Sequence, residues 1–149
     1  MGTTNDNTPA AFTLLNEIGI INQLSTARFE ALLPDGLTQP QFSVLNNFVR
    51  LGGVRTPAEL ASAFQVTRGA MTNTLRRLQA SALVDIKASA SDGRSKEVRI
   101  TAKGRRIRER AIVAMQPELV AMIEAVGSRN IAQTLAELQR LRQHLDANR

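Results

Sequence analysis

Apolar residues recur along this chain in blocks, with turn and cap residues between them. Phe12, Leu15, Ile18, Ile21 and Leu24, then Phe29, Leu32 and Leu33, fall at helical steps and predict one long helix. Thr8-Pro9 reads as its start, a hydroxyl cap followed by a proline in the first turn, where the missing N–H costs nothing. Pro34-Asp35-Gly36 reads as its stop. The apolar positions fill more than one stripe, so the helix needs cover that a small domain lacks, and a partner subunit is the natural expectation.

Thr38 caps a second predicted helix with Phe42, Val44, Leu45, Phe48, Val49 and Leu51 as its apolar positions, and Gly52-Gly53 ends it. Val54-Arg55 is long enough only for a stub of strand. Thr56-Pro57-Ala58-Glu59 repeats the start signal, with an acid in the first turn that suits the helix dipole. Leu60, Ala61 and Phe64 form the inner face of this third helix, which runs about two turns. After a tight Gln65-Val66 connection, Thr67 caps a fourth helix reaching about Ser81. On a helical wheel Met71, Leu75 and Leu78 face inward, while Gly69, Asn73, Arg76, Arg77 and Ala80 face out, with no acid among them.

The periodicity then changes. Leu83 to Lys87 and Glu97 to Thr101 alternate as two strands, joined by the small polar stretch Ala88 to Lys96. Thr101 caps a fifth helix that opens with Lys103, Arg105, Arg106, Arg108 and Arg110, and Pro117 inside it should kink it. Ser128 reads as the cap of a last helix carrying Ile131, Leu135, Leu138, Leu141 and Leu145.

Composition narrows the function. The 149 residues are 43% hydrophobic and 21% charged, an ordinary globular balance for one domain. No apolar run is long enough for a membrane span, and Met1 to Pro9 has no signal-peptide pattern, so a cytoplasmic location is expected. Cysteine is absent and His144 is the single histidine, which excludes disulfides, thiolate chemistry and His-cluster metal sites. Nothing defends a nucleophilic triad or a phosphate-binding glycine loop, so neither an enzyme nor a cofactor is expected. The net charge is +6, and arginine supplies 16 of the 19 bases. Residues 55–110 hold 13 bases against 5 acids, so one third of the chain carries the whole positive excess. Arginine grouped in this way suits a phosphate partner, because its planar fork pairs bidentately with phosphate oxygens; a solvated basic face is the other reading.

A short helix, a tight turn, a longer helix and a hairpin with a polar tip make a helix-turn-helix with a wing. A helix fits a major groove about 12 Å wide, and a hairpin tip reaches the neighbouring minor groove, which is electronegative enough to hold an arginine. Four segments carry a family resemblance: Leu37 to Leu45, Thr56 to Ala61, Val66 to Leu78 and, most specifically, Asp92-Gly93-Arg94-Ser95-Lys96-Glu97-Val98-Arg99-Ile100-Thr101-Ala102-Lys103-Gly104. Together they resemble the multiple-antibiotic-resistance regulator (MarR) family of bacterial winged-helix transcription factors, over about residues 9–147. The family usually has glycine where Ala82 stands, so a left-handed cap there would be strained.

The resemblance implies a mainly α, winged helix-turn-helix protein with long N- and C-terminal dimerisation helices. It would be a single domain over residues 1–149, with a DNA-binding lobe at about 37–101 and a dimerisation region at about 9–33 and 102–147. It implies a homodimer on a pseudo-palindromic double-stranded operator, with recognition helices about 34 Å apart. The protein would most often be a repressor, released by a small aromatic or lipophilic effector bound between the two regions. Arg94 would enter the minor groove, held upright by Asp92, with Lys96 on phosphate. Asn73 would pair with adenine and Arg77 with guanine or phosphate, with Arg76 beside them; a solvated helix face is the other reading of these three. Gly69 would allow close backbone approach, Thr72 would donate to phosphate, Thr67 would either do the same or serve only as a cap, and Arg68 would sit at the border of the contact. The rival reading is a non-enzymatic winged-helix module for protein–protein contact, in which the basic stretch is merely solvated.

Overall fold

The computed structural model describes residues 7–148; the first six residues of the polar N-terminal stretch lie outside the described residues. In order, the elements are α1 (Thr8–Leu32), a 3-10 turn (Pro34–Gly36), α2 (Gln39–Leu51), α3 (Pro57–Phe64), α4 (Arg68–Ala80), β1 (Val84–Ala88), β2 (Lys96–Ile100), α5 (Ala102–Val126) and α6 (Ser128–Ala147). The chain separates into two compact units, one ending at Ile112 and the other beginning at Val113. The first unit is a winged helix-turn-helix preceded by one long helix.

Threonine hydroxyls set the helix starts within that unit. Thr38 Oγ1 and Gln41 form a reciprocal capping box at α2, and Thr56 and Glu59 form another at α3. Thr67 Oγ1 accepts the Ala70 N–H at the start of α4, 3.1 Å away. Two predicted caps fall elsewhere. Asn7 holds the cap position of α1 without a side-chain bond, so Thr8 is already helical and Pro9 is the second residue of the helix. Gly127, at φ 91°, precedes α6, and Ser128 is its first residue. A proline is tolerated throughout the first turn, so its position locates a start only to within a residue.

The core of the first unit lies where α2, α3, α4 and the hairpin meet. Val44, Leu45 and Phe48 from α2, Leu60 from α3, Leu75 and Leu78 from α4, and Val98 from β2 are all but sealed from solvent. Burying each such side chain contributes about 1.5–3 kcal/mol. The hairpin pairs Val84 with Ile100, Ile86 with Val98 and Ala88 with Lys96. Each strand thus lies one residue nearer the tip than the alternation suggested, and Lys96 belongs to the ladder. The Val54-Arg55 stub adds a bridge to the other edge of β2, with Arg55 and Val98 exchanging hydrogen bonds of 3.1 and 2.8 Å.

The exit from α4 is the tightest point. Leu83 N–H reaches back to Leu78 O at 2.9 Å, the long bond of a Schellman cap, and both leucines are buried. That geometry holds Ala82 at φ 57°, the left-handed strain expected for an alanine there. The Thr101 hydroxyl donates to Ala82 O at 2.7 Å and accepts the Gly104 N–H at 3.0 Å, which ties the start of α5 to the end of α4. Gly104 is required at this contact: an added Cβ would collide with Leu83 O and press on Ile100 Cγ1.

Burial is missing elsewhere. α1 contains no buried residue, and Phe12 and Leu24 are 74% and 64% exposed. In the second unit, α6 also buries nothing, and Val113, Val120, Ile123 and Leu135 present apolar surface. No single helix among the described residues is long and apolar enough to cross a membrane.

Two substitutions at the α4 exit should act in opposite directions in urea denaturation. Gly104→Ala should cost about 1–3 kcal/mol by overpacking. Ala82→Gly should stabilise by about 0.5–1 kcal/mol by relieving the left-handed alanine. If Ala82→Gly destabilises, the Schellman geometry is wrong.

Candidate nucleic-acid interface

The recognition-helix candidate, α4, is anchored by Met71, Leu75 and Leu78, and this orientation turns Arg68, Gly69, Thr72, Asn73, Arg76 and Arg77 to solvent. No acid occurs anywhere in the helix. A Cβ added to Gly69 would meet nothing within 4 Å, so packing inside the chain does not require the glycine.

The wing tip is shaped by its own short hydrogen bonds. Ser89 N–H donates to Ser95 O at 2.9 Å and closes the loop. Asp92 Oδ1 accepts the backbone N–H of Arg94 at 3.0 Å, and Asp92 O accepts that of Ser95 at 3.2 Å. Asp92 therefore positions Arg94 through the backbone, and the exposed Arg94 guanidinium has no partner among the described residues.

Between helix and wing runs a cleft of about 330 Å³. Thr72, Arg76 and Gln79 line it from α4, Lys87 and Ala88 from β1, and Gly93, Arg94, Ser95 and Lys96 from the tip and the start of β2. No carboxylate is among its lining residues; the nearest acid on the strand, Asp85, holds Lys87 Nζ at 3.1 Å. The fold thus brings Thr72, Arg76, Arg94 and Lys96 together. It adds Gln79 and Lys87, which sequence reasoning missed. Gln79 follows Thr72 and Arg76 at helical spacing and was legible in principle. Which edge of the hairpin faces α4, and hence the place of Lys87, has no local signal.

Arg77 goes the other way. It lines a separate recess of about 470 Å³ together with Lys103 and the turn between α1 and α2. Thr67, Arg68, Gly69 and Asn73 line neither hollow. Much of the basic run on α5 is bound internally. Arg108 donates to Asn46 Oδ1 at 2.8 and 3.1 Å and to Glu109 at 2.8 Å. Lys103 Nζ donates to Ser81 O at 3.0 Å. Arg110 forks onto Asp35 at 2.7 and 3.2 Å, and this hydrogen-bonded guanidinium lowers the Asp35 pKa below its usual 3.8. Arg105, Arg106 and His144 are exposed. No group of three or more His, Cys, Asp or Glu among the described residues is placed to hold a metal.

Residues 35–95 match the sequence model of the MarR family. The HTH-type transcriptional repressor Rv2887 of Mycobacterium tuberculosis is 34% identical over 135 residues, covering 91% of this chain and 88% of that protein. The chain belongs to the MarR family. Among solved structures, the transcriptional regulator BldR of Sulfolobus solfataricus superposes with a TM-score of 0.79 at 25% identity, covering 97% of this chain and 99% of that one. A cysteine-to-serine variant of E. coli MarR, crystallised with operator DNA, superposes with a TM-score of 0.72 at 25% identity, covering 95% and 99%. MarR-family winged helices thus match this chain over nearly its full length.

Asp92→Ala removes the side-chain acceptor that holds the Arg94 amide. Trypsin cleavage after Arg94 should accelerate about 2- to 10-fold, the factor equivalent to a net hydrogen bond of about 0.5–1.5 kcal/mol. The melting temperature should fall by only about 1–6 °C. An unaltered cleavage rate would show that Asp92 does not order the tip.

Proposed function

We propose that this MarR-family regulator binds duplex DNA as a homodimer and represses transcription from a pseudo-palindromic operator. The observation that carries the reading is the acid-free cleft between α4 and the wing, where Arg76, Lys87, Arg94 and Lys96 surround one channel. A strand passing from major to minor groove carries its phosphates along such a channel, and arginine and lysine are the side chains that hold phosphate there. The operator-bound relative and the repressors among its homologues support the same reading.

In this reading α4 enters the major groove. Asn73 reaches base edges, Arg76 and Thr72 lie along the flanking phosphates, Arg77, on the side of the helix that lines the second recess, meets guanine or phosphate, and Arg68 sits at the border of the contact. Thr67, whose oxygen already accepts the Ala70 N–H, donates its hydroxyl proton to phosphate. Gly69 keeps the helix surface low for close approach, consistent with the open space around it. Arg94 enters the minor groove from a tip shaped by Asp92, and Lys96 meets phosphate.

The lobe at about 37–101 reads DNA, and about 9–33 and 102–147 form the dimer contact. The exposed apolar residues of α1 and of the second unit support that assignment, since a partner copy is what such helices need for cover. The protein acts in the cytoplasm without catalysis, and a small aromatic or lipophilic effector releases it by shifting the fraction of DNA-competent dimers.

The test is a titration of fluorescent operator, selected from genomic fragments, across a range of salt. Log affinity should fall linearly and steeply with log salt. Arg94→Ala should weaken binding by about 1–3 kcal/mol while sedimentation still reports a dimer. A flat salt response, or a monomer indifferent to every duplex, defeats the proposal and leaves the protein-contact reading in its place.

A further inference from the structure

The chain contains two Asp-Gly steps, Asp35-Gly36 in the turn after α1 and Asp92-Gly93 at the wing tip. An aspartyl carboxyl followed by glycine is open to attack by the next backbone nitrogen, because glycine brings no side chain to shield that nitrogen and leaves the chain free to close a ring. The two steps are alike in sequence, and the fold treats them differently.

Asp35 is closed to this reaction. A five-membered ring needs the Gly36 nitrogen eclipsed with the Asp35 Cβ, whereas φ 55° and ψ 31° set the two nearly opposite each other. The Leu37 N–H holds that turn by donating to Pro34 O at 3.0 Å. Both carboxylate oxygens accept from Arg110, at 2.7 and 3.2 Å, which keeps the group ionised, and the reaction needs the neutral carboxyl, whose hydroxyl leaves as water. Asp92 is held far less. It is exposed, makes no ion pair among the described residues, and its carboxylate accepts one hydrogen bond, from the Arg94 N–H at 3.0 Å. Gly93 is exposed too, its N–H has no partner among the described residues, and an added Cβ would meet nothing within 4 Å.

We propose that Asp92-Gly93 is a self-modification site, at which the wing tip isomerises to isoaspartate and releases its hold on Arg94, while the fold spares Asp35-Gly36. The Gly93 nitrogen bonds to Asp92 Cγ, its proton and the carboxyl hydroxyl leave as water, and a succinimide forms. Water then adds at the Asp92 α-carbonyl carbon and breaks that carbon's bond to the Gly93 nitrogen. The mass is restored, and no oxidant or reductant takes part; addition of water at Cγ instead returns aspartate. In the isomer the main chain runs through the side-chain carbons and is one methylene longer. The carboxylate that accepts the Arg94 N–H has become a main-chain carbonyl, so the turn that sets Arg94 is lost. The effect on DNA rests on the function proposed above; the chemistry does not.

The experiment ages the full-length protein in warm neutral buffer and follows two tryptic peptides, residues 88–94 and 29–50, by electron-transfer fragmentation, which distinguishes isoaspartate from aspartate at equal mass. Isoaspartate should accumulate at Asp92 at least about tenfold faster than at Asp35, as expected where reaction at Asp35 must await local opening of its hydrogen bonds. In guanidinium chloride the two rates should draw together, because only the fold separates them. Gly93→Ala, which the open space there accommodates, should slow conversion at Asp92 several-fold with the helical circular-dichroism signal retained. Aged protein passed over immobilised operator should leave its isoaspartate enriched in the unbound fraction. Equal rates in the folded protein, no isoaspartate at Asp92, or a contrast that survives unfolding would overturn the chemistry. Equal isoaspartate in bound and unbound fractions would overturn the release of Arg94. Fresh protein that binds no duplex defeats the DNA reading instead, and the peptide rates still decide the isomerisation.

Discussion

The relation between recognition helix and wing depends on one junction, where the end of α4, the start of β1 and the first turn of α5 meet. Leu78 and Leu83 close the Schellman cap, the Thr101 hydroxyl bonds both Ala82 and Gly104, and the bare Gly104 lets α5 press against the Leu83 carbonyl. Val98, fully buried beneath, locks the hairpin to the same core. The junction therefore sets the width of the cleft between Arg76 and Arg94. The strained backbone of Ala82 is tolerated because hydrogen bonds on both sides over-determine it.

The surplus of positive charge has two fates. On α5, Arg108 and Arg110 bind Asn46, Glu109 and Asp35, and Lys103 binds a main-chain carbonyl, so these bases fasten α5 to α2, to the turn after α1 and to the end of α4. Such half-exposed pairs add little stability each, but they orient the helix. In the cleft, by contrast, Arg76, Arg94 and Lys96 meet no carboxylate among the lining residues, and their charge remains available to a phosphate. Net charge alone cannot distinguish these roles, whereas the positions of the acids can.

The long helices raise a different constraint. α1 and α6 bury no residue, although both are rich in leucine and isoleucine. In the proposed homodimer that surface becomes core, and the stability of each copy becomes inseparable from its association.

Most of the local architecture was legible because its rules are local. Thr38, Thr56, Thr67 and Thr101 cap the helices they were expected to cap, and Met71, Leu75 and Leu78 face inward as their spacing requires. The errors are small and have physical causes. Thr8 and Ser128 lie one residue inside their helices, because a proline in the first turn and a glycine before a serine each permit two starts. The strands slide toward the tip because the Ser89–Ser95 bond closes the loop early. What no local rule contains is direction across space. Arg76 and Arg77 are neighbours in the chain and line different hollows, and Lys87 joins the cleft because of how the hairpin folds back. Those assignments belong to packing, which depends on residues far apart in the chain meeting at ångström distances. Periodicity and capping chemistry act only over neighbouring turns.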